Sequence, residues 1–184
     1  MVITAENPNT SLARLLADYN VGKWDLIMIG DGSGSGADRA CGWSVAIIDR
    51  LTGLRRMLAG AQNLGSITIA EVVPYIMALD YFNIVMRTPQ HRTNMALPFS
   101  LDVHIFTDSS HTANAGKGLH TRVKHGGLWA SIAYFEEHGY KLTWHWFERD
   151  NPFKLHKLMD EMASELRERV LNIEQTTELY ALLP

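Results

Sequence analysis

Residues Trp24 to Ile48 read WDLIMIGDGSGSGADRACGWSVAII, and the order of these pieces narrows the possible folds sharply. The apolar run DLIMIG is a short β-strand ending at Asp31, glycine and serine then alternate, and the β-rich run CGWSVAIID follows with no helix between. A glycine loop that cradles phosphates needs a helix directly after it, because the helix N-terminus supplies the anion-binding amides. A strand in that place removes the physical basis for a nucleotide-cofactor loop. Taken alone, the glycine stretch is a flexible hairpin. GLRRMLAGAQ, reached across the turn signal DRLTG, supplies a third strand, so this part of the chain reads as an antiparallel meander.

Helices and strands alternate after the meander. NTSLARLLADY (Asn9 to Tyr19) reads as a short helix ahead of it, with Thr10 or Ser11 as N-cap. SITIAEVVPYIMALDYFNIVM (Ser66 to Met86) has helical length and an apolar face; Pro74 is tolerable if the helix starts near Thr68 or Ala70, and otherwise marks a kink. LDVHIFTDSS is a central strand ending at Asp108, followed by a short helix or turn and a basic loop in HTANAGKGLHTRVKHGG. LWASIAYFEEHGY is a helix with Gly139 as its C′ residue. KLTWHWFE is a period-two strand, which puts Trp144 and Trp146 on one face as core residues. Leu155, Leu158, Met159, Met162, Ala163, Leu166 and Val170 form a helical stripe, and a separate short helix is expected from Glu174 to Leu183. The order α-βββ-α-β-α-α-β-α predicts an α/β fold, a mixed sheet with helices on its faces.

At 184 residues the chain suits one domain, 1–184, with a core at about 25–170. A net charge of −3 gives no global basic field, so a nucleic-acid partner would need a local patch. The single cysteine, Cys41, excludes an internal disulfide and a multi-cysteine zinc site, and reads as a buried structural residue. The eight histidines show no paired metal-ligand spacing. No basic region followed by an apolar stretch opens the chain, and no apolar run of the ~18 residues of a membrane span is read. The expectation is a cytoplasmic, monomeric protein with no membrane association.

Four acids stand where chemistry could gather. Asp31 and Asp108 each end an apolar strand, and adjacent strands would bring them together at one end of the sheet, although such an acid can also simply mark a strand meeting solvent. Glu71 sits among apolar neighbours near a helix start, which fits a buried acid or one favoured by the helix dipole. Asp160 lies on the flank of the last amphipathic stripe, a position that also suits a solvated acid. Four carboxylates sharing a site repel unless cations neutralise them. Hard divalent ions, Mg²⁺ or Mn²⁺, suit an all-oxygen ligand set. Two of them ~4 Å apart can activate water and stabilise a leaving oxygen in phosphodiester hydrolysis.

These residues resemble the type 1 ribonuclease H family. The resemblance is carried by Asp31-Gly32-Ser33, GWSVAII, Glu71 in AEVVPYIMAL, TDSS at Asp108, and the closing W-x-W strand followed by DEMA at Asp160, colinear from Asp25 to Leu166. It implies a five-stranded mixed sheet, antiparallel meander then parallel strands, flanked by helices. It further implies a two-metal nuclease site of Asp31, Glu71, Asp108 and Asp160 that cuts the RNA strand of an RNA/DNA hybrid through contacts to 2′-hydroxyls. Gly32, Ser33, Gly34, Thr68 and Ser109 would line the substrate, the glycines letting backbone approach the sugar-phosphate. Where the family carries a loop histidine this chain has Asp150; His156, one turn before Asp160, could substitute for it but reads first as a surface residue. Ile67 and Thr68 stand near the family's paired asparagines. The N-terminal helix and the loop from Arg87 to Ser100 look like additions.

Lys117, Arg122 and Lys124 form a basic cluster that could grip phosphate beside the acids or be a solvated loop. Trp129 fits core packing better than base stacking. Two other readings stay open: the same site acting on another structured or double-stranded nucleic acid, and a non-catalytic nucleic-acid binding module.

Overall fold

The computed structural model describes residues 16–22, 25–34, 40–63, 66–87, 100–122, 125–149 and 154–181. Its elements are β1 (Leu26–Gly34), β2 (Cys41–Asp49), β3 (Arg55–Gln62), α1 (Ile67–Arg87), β4 (Leu101–Thr107), α2 (Ser110–Gly116), α3 (Gly126–Glu137), β5 (Tyr140–Trp146) and α4 (Lys154–Ala181). Of the expected N-terminal helix only residues 16–18, which are helical, are described. Residues 88–99, Lys124 and Asp150 lie outside the described residues.

One five-stranded sheet has the order β3-β2-β1-β4-β5. β1, β2 and β3 pair antiparallel, while β4 pairs parallel to β1 and β5 parallel to β4. The mixed sheet expected from the element order is present. One face carries Leu26, Met28, Val45, Ile47, Val103, Ile105 and Trp144 into a core with Val72, Tyr75, Leu79 and Phe82 of α1 and Trp129, Ile132 and Phe135 of α3. The opposite face packs Ile27, Ile29, Ile48 and Phe106 with Val21, Phe147 and the half-buried Leu155 of α4. With helices on both sides, every residue of β2 is buried, so its apolar run shows no alternation.

Four features differ from the sequence reading. β1 does not stop at Asp31 but continues through Gly34, with Asp31 opposite Ser44 and Gly34 opposite Cys41. α1 begins at Ile67 and holds Pro74 in its interior, so the carbonyl of Ala70 receives no helical N–H from that residue. The window Ile67–Ile84 of α1 is long and apolar enough to cross a membrane, contrary to the expectation that no run reaches that length. Here it is a helix packed on the sheet, 44% of it buried, and contacts on more than one side make it apolar around much of its circumference. Finally, α4 is one 28-residue helix rather than a helix plus a short extension; residues 170–181 contain neither glycine nor proline to end it.

Trp144 is core, but Trp146 is 42% exposed. β5 is an edge strand of the sheet, and Trp146 is its last residue. Trp129 is buried, and Cys41 is buried with its thiol 3.4 Å from the carbonyl oxygen of Ser66.

Candidate functional site

β1 and β4 pair only from Leu26–Val103 to Ile29–Phe106. Beyond that point β1 runs on, β4 ends at Thr107, and a fork opens at the end of the sheet. Asp31 stands on one prong and Asp108 on the other. Tyr75 of α1, fully buried, fills the base of the fork: its hydroxyl lies 3.0 Å from the carbonyl oxygen of Gly30 and 2.9 Å from that of Phe106. One donor thus ties together the backbone one residue before Asp31 and two residues before Asp108.

Two glycines let the helices bring their own acids to this point. A Cβ on Gly32 would lie 2.3 Å from the carbonyl carbon of Ala70 and 2.6 Å from the amide nitrogen of Glu71. The start of α1 therefore rests directly on β1, which puts Glu71 beside Asp31. On the other face, a Cβ on Gly42 would lie 1.9 Å from the carbonyl oxygen of Ala163, so α4 presses equally close to β2. Ser44 fixes the register of that contact by donating its hydroxyl to the Met159 carbonyl at 2.7 Å, one residue before Asp160.

The electrostatics reflect this crowding. Asp31, 1% exposed, has its carboxyl pushed from 3.8 up to about 8, first by burial, then by the charge of Asp108 and by a hydrogen bond and charge from Asp160; the Gly32 amide opposes the rise. Glu71 is buried and held well above the usual carboxylate range by burial, then by Asp31 and Asp108, with Arg149 opposing. The Asp108 side chain is 1% exposed; Arg149 donates from Nε to its Oδ2 at 2.6 Å, and Trp146 donates its indole N–H to the Asp108 carbonyl at 3.0 Å. Asp160 is exposed at the outer lip. Asp31 Oδ1, Glu71 Oε2 and Asp108 Oδ1 are buried with no hydrogen-bond partner among the described residues. Buried carboxylate oxygens are costly when unpaired, and three in one place are the donor set that a hard divalent cation satisfies. The residues fit the hard divalent cation expected where carboxylates share one site.

The structure brings Asp31, Glu71, Asp108 and Asp160 into one cluster. The other expected substrate residues fare differently. Gly32 is buried against α1, so its missing Cβ serves helix approach and not substrate approach. Gly34 packs near Ile67 and Cys41, and Ser33 meets the Ser164 hydroxyl at 3.3 Å. Thr68 is half-buried in the first turn of α1. The hydroxyl of Ser109 is committed to capping α2, accepting from the Thr112 amide. Arg122 donates to the carbonyls of Ala115 and Gly116 and lies over the Trp129 ring at 5.0 Å, which makes it a structural cap for α2. Lys117 is exposed.

His156 is the residue that sequence reasoning misplaced. It is 2% exposed, not a surface residue, and its Nε2 lies 3.8 Å from Asp108 Oδ1. Burial holds its imidazole below the ordinary value, with Arg149 adding to the effect and Asp108 and Asp160 opposing it. Its i,i+4 relation to Asp160 was the available signal, since that spacing puts both side chains on one helix face. Arg149 and Trp146 were also not anticipated here.

No protein-family model matches this sequence, and no curated protein does. Solved structures share its fold. The N-terminal RNase H domain of a Mycobacterium tuberculosis protein, solved as a fusion with maltose binding protein, is 12% identical with a TM-score of 0.63, over 82% of this chain and 98% of that one. LC11-RNase H1 in complex with an RNA/DNA hybrid is 17% identical with a TM-score of 0.60, over 80% and 99%. RNase H1 from the halophilic archaeon Halobacterium salinarum is 14% identical with a TM-score of 0.56, over 79% and 98%. At these identities the likeness establishes the fold, and the ribonuclease H-like architecture implied by the motifs stands.

Proposed function

We propose that this protein is a metal-dependent endonuclease of the ribonuclease H type that hydrolyses the RNA strand of RNA/DNA hybrids. The observation that carries the reading is the convergence of Asp31, Glu71 and Asp108, with unpaired buried oxygens, at an open sheet end bordered by Asp160. Its substrate class is supported by the fold shared with LC11-RNase H1, whose structure holds an RNA/DNA hybrid.

In this reading Asp31 and Asp108 are the central ligands of two Mg²⁺ ions, or of Mn²⁺ in their place, and Glu71 and Asp160 complete the set. The ions supply Lewis-acid activation of water and neutralise charge at the phosphodiester. The chain's own part is to hold four carboxylates at fixed positions before substrate arrives. Tyr75 fixes the fork, and Gly32 and Gly42 set the helices that carry Glu71 and Asp160. Arg149, exposed and paired with Asp108, is a cation at this end that can meet phosphates, and the exposed Lys117 is a second candidate, so affinity should fall as salt rises. The products are a 3′-hydroxyl and a 5′-phosphate.

The test is cleavage of an end-labelled RNA/DNA hybrid with Mg²⁺ or Mn²⁺, beside single-stranded RNA, duplex RNA and duplex DNA. Asp108→Asn keeps the side chain's shape and removes a charge the metals need, and is expected to lower the rate by about two orders of magnitude or more. Metal-dependent cutting of the hybrid that this variant abolishes supports the proposal. Cutting confined to duplex RNA or DNA would redirect the substrate, and near-normal rates in the variant would refute the acidic site.

A further inference from the structure

The acids account for only part of this cluster's donor set. His156 reaches the same point from α4, and a ring nitrogen of His156, one oxygen of Asp31 and one of Asp108 all lie within 4.8 Å of one another. Metal–ligand bonds of about 2.1–2.2 Å leave donors on opposite sides of one ion about 4.3 Å apart, so this spacing needs little adjustment to close on a single cation. At 3.8 Å, Nε2 stands too far from Asp108 Oδ1 for a hydrogen bond to that oxygen. The ring is also held in place: Phe147 packs edge-on against it, with centroids 4.7 Å apart and an interplanar angle of 83°. Asp31 Oδ1 and Asp108 Oδ1 are buried without hydrogen-bond partners among the described residues, which points independently to a cation at this position.

We propose that His156 is a metal ligand, contributing an imidazole nitrogen to a divalent ion shared with Asp31 and Asp108, and that the mixed nitrogen–oxygen site favours Mn²⁺ over Mg²⁺. The inference rests on the metal-binding reading of the acids and adds to it. An imidazole nitrogen suits later first-row ions, whereas Mg²⁺ prefers oxygen and gives up its waters reluctantly. A site of carboxylates alone carries no such bias.

Pulsed electron paramagnetic resonance of Mn²⁺ bound to the full chain reads the nitrogen directly, without substrate or turnover. The expected result is ¹⁴N modulation from a coordinated imidazole that converts to the ¹⁵N pattern in protein grown with ¹⁵N-histidine. His156→Asn should abolish that modulation and weaken Mn²⁺ binding by about tenfold or more, with Mg²⁺ affinity changed much less. Mn²⁺ bound tightly with no histidine coupling in the unmutated protein would overturn the role of His156 while leaving the acidic site intact; this arm needs no variant to fold. Coupling that persists in His156→Asn would overturn it by assigning the nitrogen to another histidine. No Mn²⁺ binding at all would overturn both this inference and the metal reading beneath it.

Discussion

Asp31→Asn should stabilise the metal-free protein while destroying its function, and the size of the gain follows from the carboxyl's environment. In an unfolded chain this group releases its proton near 3.8; in the fold burial, Asp108 and Asp160 raise that value to about 8. A raised folded value means that the group's contribution to stability is fully present below 3.8 and is lost as pH climbs through 8. At pH 7 the unfolded aspartate is ionised and the folded one is still mostly protonated. The interval of about three units, at about 1.4 kcal/mol each, sets the cost to the fold at about 4 kcal/mol. Asparagine has the same shape, bears no charge at any pH, and its amide can donate to Asp160 as the protonated carboxyl does. The expected gain is therefore about 4 kcal/mol at pH 7, or about 10 °C in midpoint for a chain of this length, shrinking towards zero near pH 4. Urea unfolding followed by tryptophan fluorescence in EDTA, from pH 4 to pH 8, measures it. A gain below about 1 kcal/mol at pH 7, or one equal at pH 4 and pH 8, would refute the argument. Adding Mn²⁺ or Mg²⁺ should raise the stability of the unmutated protein far more than that of the variant.

Gly32→Ala and Gly42→Ala should each cost about 1–3 kcal/mol in chemical denaturation, because the new methyl meets helix backbone that can yield only by moving the helix. Gly42→Ala should be the worse of the two, and Gly126→Ala, whose Cβ meets nothing within 4 Å, serves as a neutral control. Tyr75→Phe removes the hydroxyl from between the Gly30 and Phe106 carbonyls and should cost about 1–3 kcal/mol, with the denaturant slope unchanged.

What could be read from the sequence, and what could not, divides along a physical line. Asp31 and Asp108 are legible because an acid interrupting an apolar strand is a local event, and strand adjacency then joins them. The bounds of β2 are legible for the same reason, since its apolar run is closed by turn residues. His156 and the two glycines are not, because their meaning lies across space. Helical periodicity places His156 and Asp160 on one face of α4, but not which part of that face overhangs the sheet end; Gly42 decides that, by allowing α4 to settle on β2 with the Ser44–Met159 bond as its stop. Gly32 likewise looks like a loop residue beside a site, and only the position of Ala70 shows that it holds a helix. The same device thus operates on both faces of one sheet. On each side a missing Cβ lets a helix approach, and the approach sets an acid against Asp31. The electrostatic strain at Asp31 follows from that approach, so a substitution that lifts either helix should lower the raised carboxyl value even though it leaves every acid in the chain.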